Sequence, residues 1–435
     1  MKKIWPIRFR IDVRAPAKQA VEVLTVASLF VLSTRMWSVG EHIVFLSILF
    51  ALILAITSLA QESTRWSPPK LNLIPLALLA IMVAIMLSSA AWAPEIHRTL
   101  SYAGFSVLQI LIGLALSRIV SVSTVLYGVF AGSLGVSFHS FATSISQESF
   151  VPEMPLGLFT NESDLSHILG LGVVCSLALV SRNIVKSVIA VAGAGFLLWH
   201  ISLLTYFTTT VSLASAFAVT VAIFILRSIP PHAKKTASLI IAVVASVLLT
   251  LVVVFRNQLQ VFAGKTPDFS GRVPFWERFW TSILEKPFFG FGWGWTRDEF
   301  GGTDRIVPHN EIFTAHNGFL DVAFALGLPA ALLLAISLGA SFFLSYRLAT
   351  SDGIPWIASG IPSVVAYLLV HDLTGSWLPR TVGLFLVGLL FGLIARERNA
   401  IGYGDSRSGA RVTETRFGAP EEHSPAPHRQ QGVAD

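Results

Sequence analysis

Apolar runs of about 20 residues recur along this chain, joined by short polar connections, until one polar stretch at 256–316 breaks the rhythm. A helix rises 1.5 Å per residue, so a run of that length crosses the roughly 30 Å of bilayer hydrocarbon. The pattern predicts about twelve spans, near 20–38, 41–60, 71–91, 99–117, 121–140, 164–181, 185–202, 205–226, 237–255, 317–345, 355–371 and 381–395. An open sheet leaves backbone groups unsatisfied in lipid, and the runs are continuous rather than alternating, which argues against a barrel. The expected fold class is therefore an all-α polytopic membrane protein. It carries one large loop with an amphipathic helix of its own.

An even number of spans puts both termini on one side. If the N-terminus is cytoplasmic, the inner loops hold Arg65 with Lys70, Arg118, Arg182 with Lys186, Arg227 with Lys234 and Lys235, Arg347, and Arg396 with Arg398. The opposite short loops hold only Arg35, Arg98 and Arg380. Excess Lys and Arg marks the cytoplasmic side, and long loops are exempt from that rule. Both termini are thus expected inside and the long loop outside. The expected organisation is a basic N-terminus (1–19), nine spans (20–255), a periplasmic loop (256–316), three spans (317–396) and a cytoplasmic tail (397–435). The tail is rich in Gly, Pro, Ser and charge and is expected to be disordered.

Composition narrows the class. Of 435 residues 53% are hydrophobic and only 13% charged, with a mean hydropathy of +0.68, which excludes an ordinary soluble domain. The net charge of +6 sits mainly in the N-terminus and the short loops, where topology explains it, so no nucleic-acid partner is implied. The single cysteine, Cys175, lies inside an apolar run, which rules out a disulfide framework or a thiolate metal site. The first eighteen residues are basic and the first apolar run begins only near Ala20, so no cleavable signal peptide is expected.

The long loop holds seven Lys or Arg, seven Asp or Glu and two His. Charge is costly in lipid, so a charged loop in such a chain is the natural place for chemistry. Residues 273–286 have a helical period. Phe275, Trp276, Phe279, Trp280, Ile283 and Leu284 form one face; Glu277, Arg278, Thr281, Ser282, Glu285 and Lys286 form the other. Pro274 suits the first turn and Pro287 stops the helix. It lies either flat on the outer membrane interface or packed on the bundle. Arg272 follows a flexible Gly271 and can offer its planar fork to a phosphate; the alternative is an ordinary arginine paired with Glu277.

In the next segment, Pro287–Trp295, glycines alternate with aromatics, which forbids a regular helix. Trp293 and Trp295 can stack on sugar rings or form an interfacial belt. No strand precedes the run, so it is not a nucleotide-binding glycine loop. The loop closes on His309-Asn310-Glu311 and His316-Asn317-Gly318, directly before an apolar run. The positive end of a helix dipole favours a neutral imidazole, the form a general base requires. His316 is accordingly the candidate base, and Asn317 is either a site residue or a helix cap. A metal site built from His309, His316, Asp304, Glu311 and Asp321 lacks the usual ligand spacing, so neither a metal nor another cofactor is expected.

The succession SGR, Trp-rich helix, KPFFGFGWG and HNGFLD resembles the signature loop of the O-antigen ligase and polysaccharide polymerase superfamily. Leu87–Pro94 (LSSAAWAP) resembles the family's Ser–Trp–Pro segment, and Gly157–Asn161 (GLFTN) its GxFxxKN element. Tyr206–Ser212 is similar to the Ser/Thr-rich helix start of ExoQ-type exopolysaccharide polymerases. The resemblance implies a GT-C-like membrane glycosyltransferase that is inverting and metal-independent. It would act in the bacterial inner membrane, polymerising repeat units from undecaprenyl-diphosphate-linked oligosaccharide at the periplasmic face. In that reading Arg272 holds the diphosphate and His316 activates the acceptor hydroxyl. Asn317 would help orient the site, and Asn161 belongs to the matching GxFxxKN-like element. Beside the resemblance, Trp293 and Trp295 are the candidate sugar-stacking residues, and Arg297, Arg305 and Arg380 are substrate-binding candidates from topology alone. Candidate partners are membrane lipid, a chain-length regulator and a flippase. Two departures stand out: the chain has Thr160 where the family usually has Lys, and Thr208–Val211 where ligases carry an Arg. A ligase using lipid A-core as acceptor is the alternative within the class, and a flippase or transporter the alternative outside it. The transporter reading calls for charges at mid-membrane and paired broken helices, neither evident in the sequence.

Overall fold

The structure is a computed structural model. It describes residues 16–34, 73–146, 162–181, 183–204, 206–254, 258, 272–297, 306–308, 315–351, 354–373, 375–376 and 383–394. Helices dominate: α1 (Pro16–Thr34), α2 (Leu73–Ser88, continued by a 3₁₀ turn at Ser89–Ala91), α3 (Ile96–Ile119), α4 (Val122–Ser146), α5 (Glu162–Leu179), α6 (Ile184–Leu204), α7 (Phe207–Ser228) and α8 (Pro231–Val254). After the long loop's α9 (Arg272–Glu285) come α10 (Gly318–Leu326), α11 (Leu328–Thr350), α12 (Gly360–Asp372, entered through a 3₁₀ turn at Trp356–Ser359) and α13 (Gly383–Ile394). Six of these, α3 to α7 and α11, are long and apolar enough to cross a membrane. The span expected at 41–60 lies outside the described residues.

The hub is α5. It is buried on nearly every face, as a helix enclosed by others must be, and packs on α4, α6, α7 and α12. Around it, α1 lies on α4, α7 on α12, and α11 on both α2 and α12. One apolar core joins α1, α3 to α7, α12 and α13; a second joins α2, α3, α10, α11 and α13 beneath the aromatic loop.

The structure corrects one expectation. The run at 317–345 is two helices, not one. Gly327, at φ 89°, ends α10, and Pro329 sits in the first turn of α11. A left-handed glycine followed by proline is a helix stop and restart that the apolar run masked. The break is filled by the aromatic loop: Phe291 and Gly292 donate backbone N–H groups to the carbonyls of Phe324 and Ala325 at 2.9 and 2.8 Å, and Leu328 donates to Pro287 at 2.8 Å. The end of α10 is thereby satisfied inside the protein, as lipid requires. The long loop also holds a short antiparallel ribbon, β1 (Trp295–Arg297) against β2 (Ile306–Pro308), with Thr296 opposite Val307.

The α9 helix forms as its period predicts, but only part of its apolar arc is buried. Phe279 and Ile283 pack on Ala315, Ala323 and Phe324, whereas Trp280 and Leu284 remain 46% and 56% exposed. With Phe288 and Phe289, 69% and 63% exposed, these side chains make an outward apolar surface beside the bundle. Packing and exposure thus divide one face between them.

Candidate active site

The turn before α10 is held from several sides. Asn317 caps the helix: its Oδ1 accepts from the N–H groups of Phe319 and Leu320, each at 3.1 Å. Its Nδ2 donates to the Leu373 carbonyl at 2.9 Å, fastening the turn to the end of α12. The buried Asp321 accepts from the N–H of Ala315 at 2.8 Å and from the hydroxyl of Ser376. The Ala315 carbonyl in turn accepts from Trp276 Nε1 at 2.8 Å. Both backbone groups of residue 315 and both ends of the Asn317 amide are therefore engaged, and His316 stands between them. Its φ of 49° is left-handed, a conformation non-glycine residues adopt only when the surroundings impose it. Its side chain is half-buried. Asn317, expected among the substrate-binding residues, is a cap that sets the backbone of His316.

Arg272 opens α9. Its Nη2 donates to the Tyr206 hydroxyl at 3.3 Å, and its guanidinium lies 5.9 Å from the centre of that ring. Tyr206 immediately precedes α7, so the long loop and the Ser/Thr-rich helix start meet here. Trp276 lies one turn beyond Arg272, about 6 Å along the helix axis, and is the residue that reaches Ala315. The helix that Arg272 opens is thus tied by a hydrogen bond to the turn that carries His316.

A third arm comes from α12, which ends in His371-Asp372. The Asp372 carboxylate lies so close to Gly318 that a Cβ there would collide with it. The N–H of Gly318 donates to the Gly375 carbonyl at 2.8 Å. His371 and Asp372 are fully buried, as is His167 of α5, and Asp164 is nearly so. The sequence reading missed all four because they fall at the ends of apolar runs. The signal was available, since an ionisable residue inside a membrane helix is a functional candidate by default.

The tryptophans take a different role from the one expected. Trp293 and Trp295 are only 6% and 5% exposed, so neither offers a ring face to a sugar. Their indole N–H groups donate to Ser106 and Thr99 of α3, each at 2.8 Å. Ser89 accepts from the N–H of Trp293 at 3.0 Å, and Trp92 Nε1 donates to the Phe289 carbonyl at 2.8 Å. The LSSAAWAP segment and the aromatic loop, about two hundred residues apart, are therefore two halves of one joint. Gly294, at φ 85°, runs so close to the Tyr102 ring that a side chain would clash. Arg297 lies on β1 opposite Ile306. Asn161, Arg305, His309, Asp304 and Glu311 lie outside the described residues.

A family model described as O-antigen ligase matches residues 154–335. The match takes in α5 to α10 and the start of α11, and with them Tyr206, Arg272 and His316. No curated protein gives a significant match.

Proposed function

We propose, from the match of residues 154–335 to a family model described as O-antigen ligase, that this membrane protein is a polysaccharide polymerase or ligase, and that it polymerises exopolysaccharide repeat units from a polyprenyl-diphosphate-linked oligosaccharide. The bond from Trp276 to the Ala315 carbonyl supports the reading, because it ties the helix opened by Arg272 to the turn that carries His316. The helix ends that gather here are the end of α2, the starts of α3, α5, α7 and α10, and the end of α12. All are ends that the charge pattern assigns to the outer side, where a lipid diphosphate presents its headgroup.

In this mechanism Arg272 grips diphosphate oxygens through charge-assisted bonds. His316 takes the proton from an acceptor hydroxyl as that oxygen bonds to the anomeric carbon from the face opposite the leaving group. The bond from carbon to the diphosphate oxygen breaks with inversion, and the lipid diphosphate departs with the electron pair. His316 then returns its proton to water. Diphosphate is already a good leaving group, so positioning, one base and electrostatic stabilisation suffice.

The direct test is chain extension by the purified protein in detergent, given a synthetic lipid-linked oligosaccharide. Extension without a sealed membrane cannot arise from transport, so a protein that only moves glycan would give none. EDTA should leave the rate unchanged, and Arg272→Lys should reduce it about tenfold, because an ammonium replaces the bidentate fork. The family description keeps a ligase role in view. A deletion strain decides between the two: accumulated single repeats on the lipid carrier mark a polymerase, and full-length polymer left on the carrier marks a ligase.

A further inference from the structure

Behind Tyr206 lies a group of ionisable side chains to which the mechanism above gives no part. The rings of His167 on α5 and His371 on α12 are 4.1 Å apart at 65°, and both residues are fully buried. Tyr367 packs against them, with ring centres 5.2 and 5.9 Å away, and its hydroxyl donates to the His167 carbonyl at 3.1 Å. Tyr206 stands 6.4 Å from His371 on one side and holds the Arg272 guanidinium on the other. The charged groups nearest the pair in the chain are Asp164 on α5 and Asp372 on α12, both buried, with Arg272 on α9 beyond the Tyr206 ring. A pair of imidazoles kept inside apolar helices is expensive and marks function rather than packing.

A diphosphate brings more negative charge than one guanidinium offsets. Imidazole is the side chain that can gain a proton near neutral pH, and in a poorly screened interior a diphosphate at Arg272 favours that gain across a single aromatic ring. We propose that the His167–His371 pair is a substrate-linked cation of the donor site, taking up one proton from solvent when a polyprenyl diphosphate occupies Arg272 and returning it on release. Tyr206 bridges His371 and Arg272, so in this proposal the pair acts through that ring and its histidines are positioning residues. The inference rests on the assignment of Arg272 as the diphosphate grip.

Calorimetric titration of the full-length protein in detergent with farnesyl diphosphate, in two buffers of equal pH and different ionisation enthalpy, counts protons exchanged on binding. The wild type should take up about one proton per ligand, and its affinity should weaken about tenfold per pH unit where the pair is neutral before binding. His316→Gln should keep the uptake, and the double variant His167→Gln, His371→Gln should lose it and show a flat affinity profile. Farnesyl diphosphate bound with no proton taken up overturns the proposal, as does full uptake by the double variant. Should the double variant not fold, the wild-type count decides alone. Failure of the wild type to bind farnesyl diphosphate removes the diphosphate site itself, a separate outcome.

Discussion

His316 is the one non-glycine residue with positive φ among the described residues, and bonds to the residues on either side of it help to hold it there. A left-handed backbone costs an ordinary residue on the order of 1–2 kcal/mol, and the bonds to Ala315, Asn317 and Asp321 offset that cost. His316→Ala and His316→Gly should both lower transfer by about a hundredfold or more, the usual worth of a general base. Glycine relaxes the backbone and leaves room, so added imidazole should restore part of the rate in His316→Gly. A His316→Ala protein within tenfold of wild type removes the histidine as base. Asp321 contributes differently, because both its oxygens accept. Asp321→Asn would turn a donor toward Ala315 N–H or Ser376, at a cost of about 1–3 kcal/mol for the unsatisfied group. Transfer should fall with little change in donor affinity, a split that steady-state kinetics measures directly.

At the level of the element, α9 links membrane surface and chemistry. Its inner face, through Phe279, Ile283 and Trp276, sets the distance between Arg272 and the His316 turn, and its outer face turns Trp280 and Leu284 away from the protein. Phe279→Ala opens a cavity against Phe324, whose ring centre is 5.3 Å away, and should destabilise by about 3–5 kcal/mol. Trp280→Ala trims a side chain that is 46% exposed and outside the buried cluster, and should lower the melting temperature in detergent far less. Equal losses in the two variants would show that α9 is not seated as described. The period of the sequence made this helix legible, but not its docking. Six apolar positions form one arc, and which half of the arc is buried depended on where Phe324 and Ala315, on another part of the chain, were placed.

For the whole molecule the testable quantity is sidedness. The single cysteine, Cys175, is buried, so a new surface cysteine is the only accessible thiol. Phe288→Cys should react with a membrane-impermeant maleimide from the outer side, and Lys235→Cys only after the membrane is opened. Phe288→Cys labelled solely from the cytoplasmic side would place the Arg272–His316 pair on the wrong face and end the proposed reaction.

Hydropathy alone determined that the chain is a helical membrane protein, where most helices lie, and that one long charged stretch, 256–316, interrupts the apolar runs. Those properties follow from local periodicity and from the cost of charge in lipid, and neither needs a partner residue. The loop motifs also pointed to Arg272 and His316, since their spacing from helix ends is visible in one dimension. Tertiary structure decided that Trp293 and Trp295 are internal struts, that Asn317 and Asp321 shape a strained turn, that one apolar run breaks at Gly327, and that His167, His371 and Asp372 approach the same corner. Each of these depends on atoms from helices far apart in the sequence, and burial and hydrogen-bond partners exist only once those helices have packed.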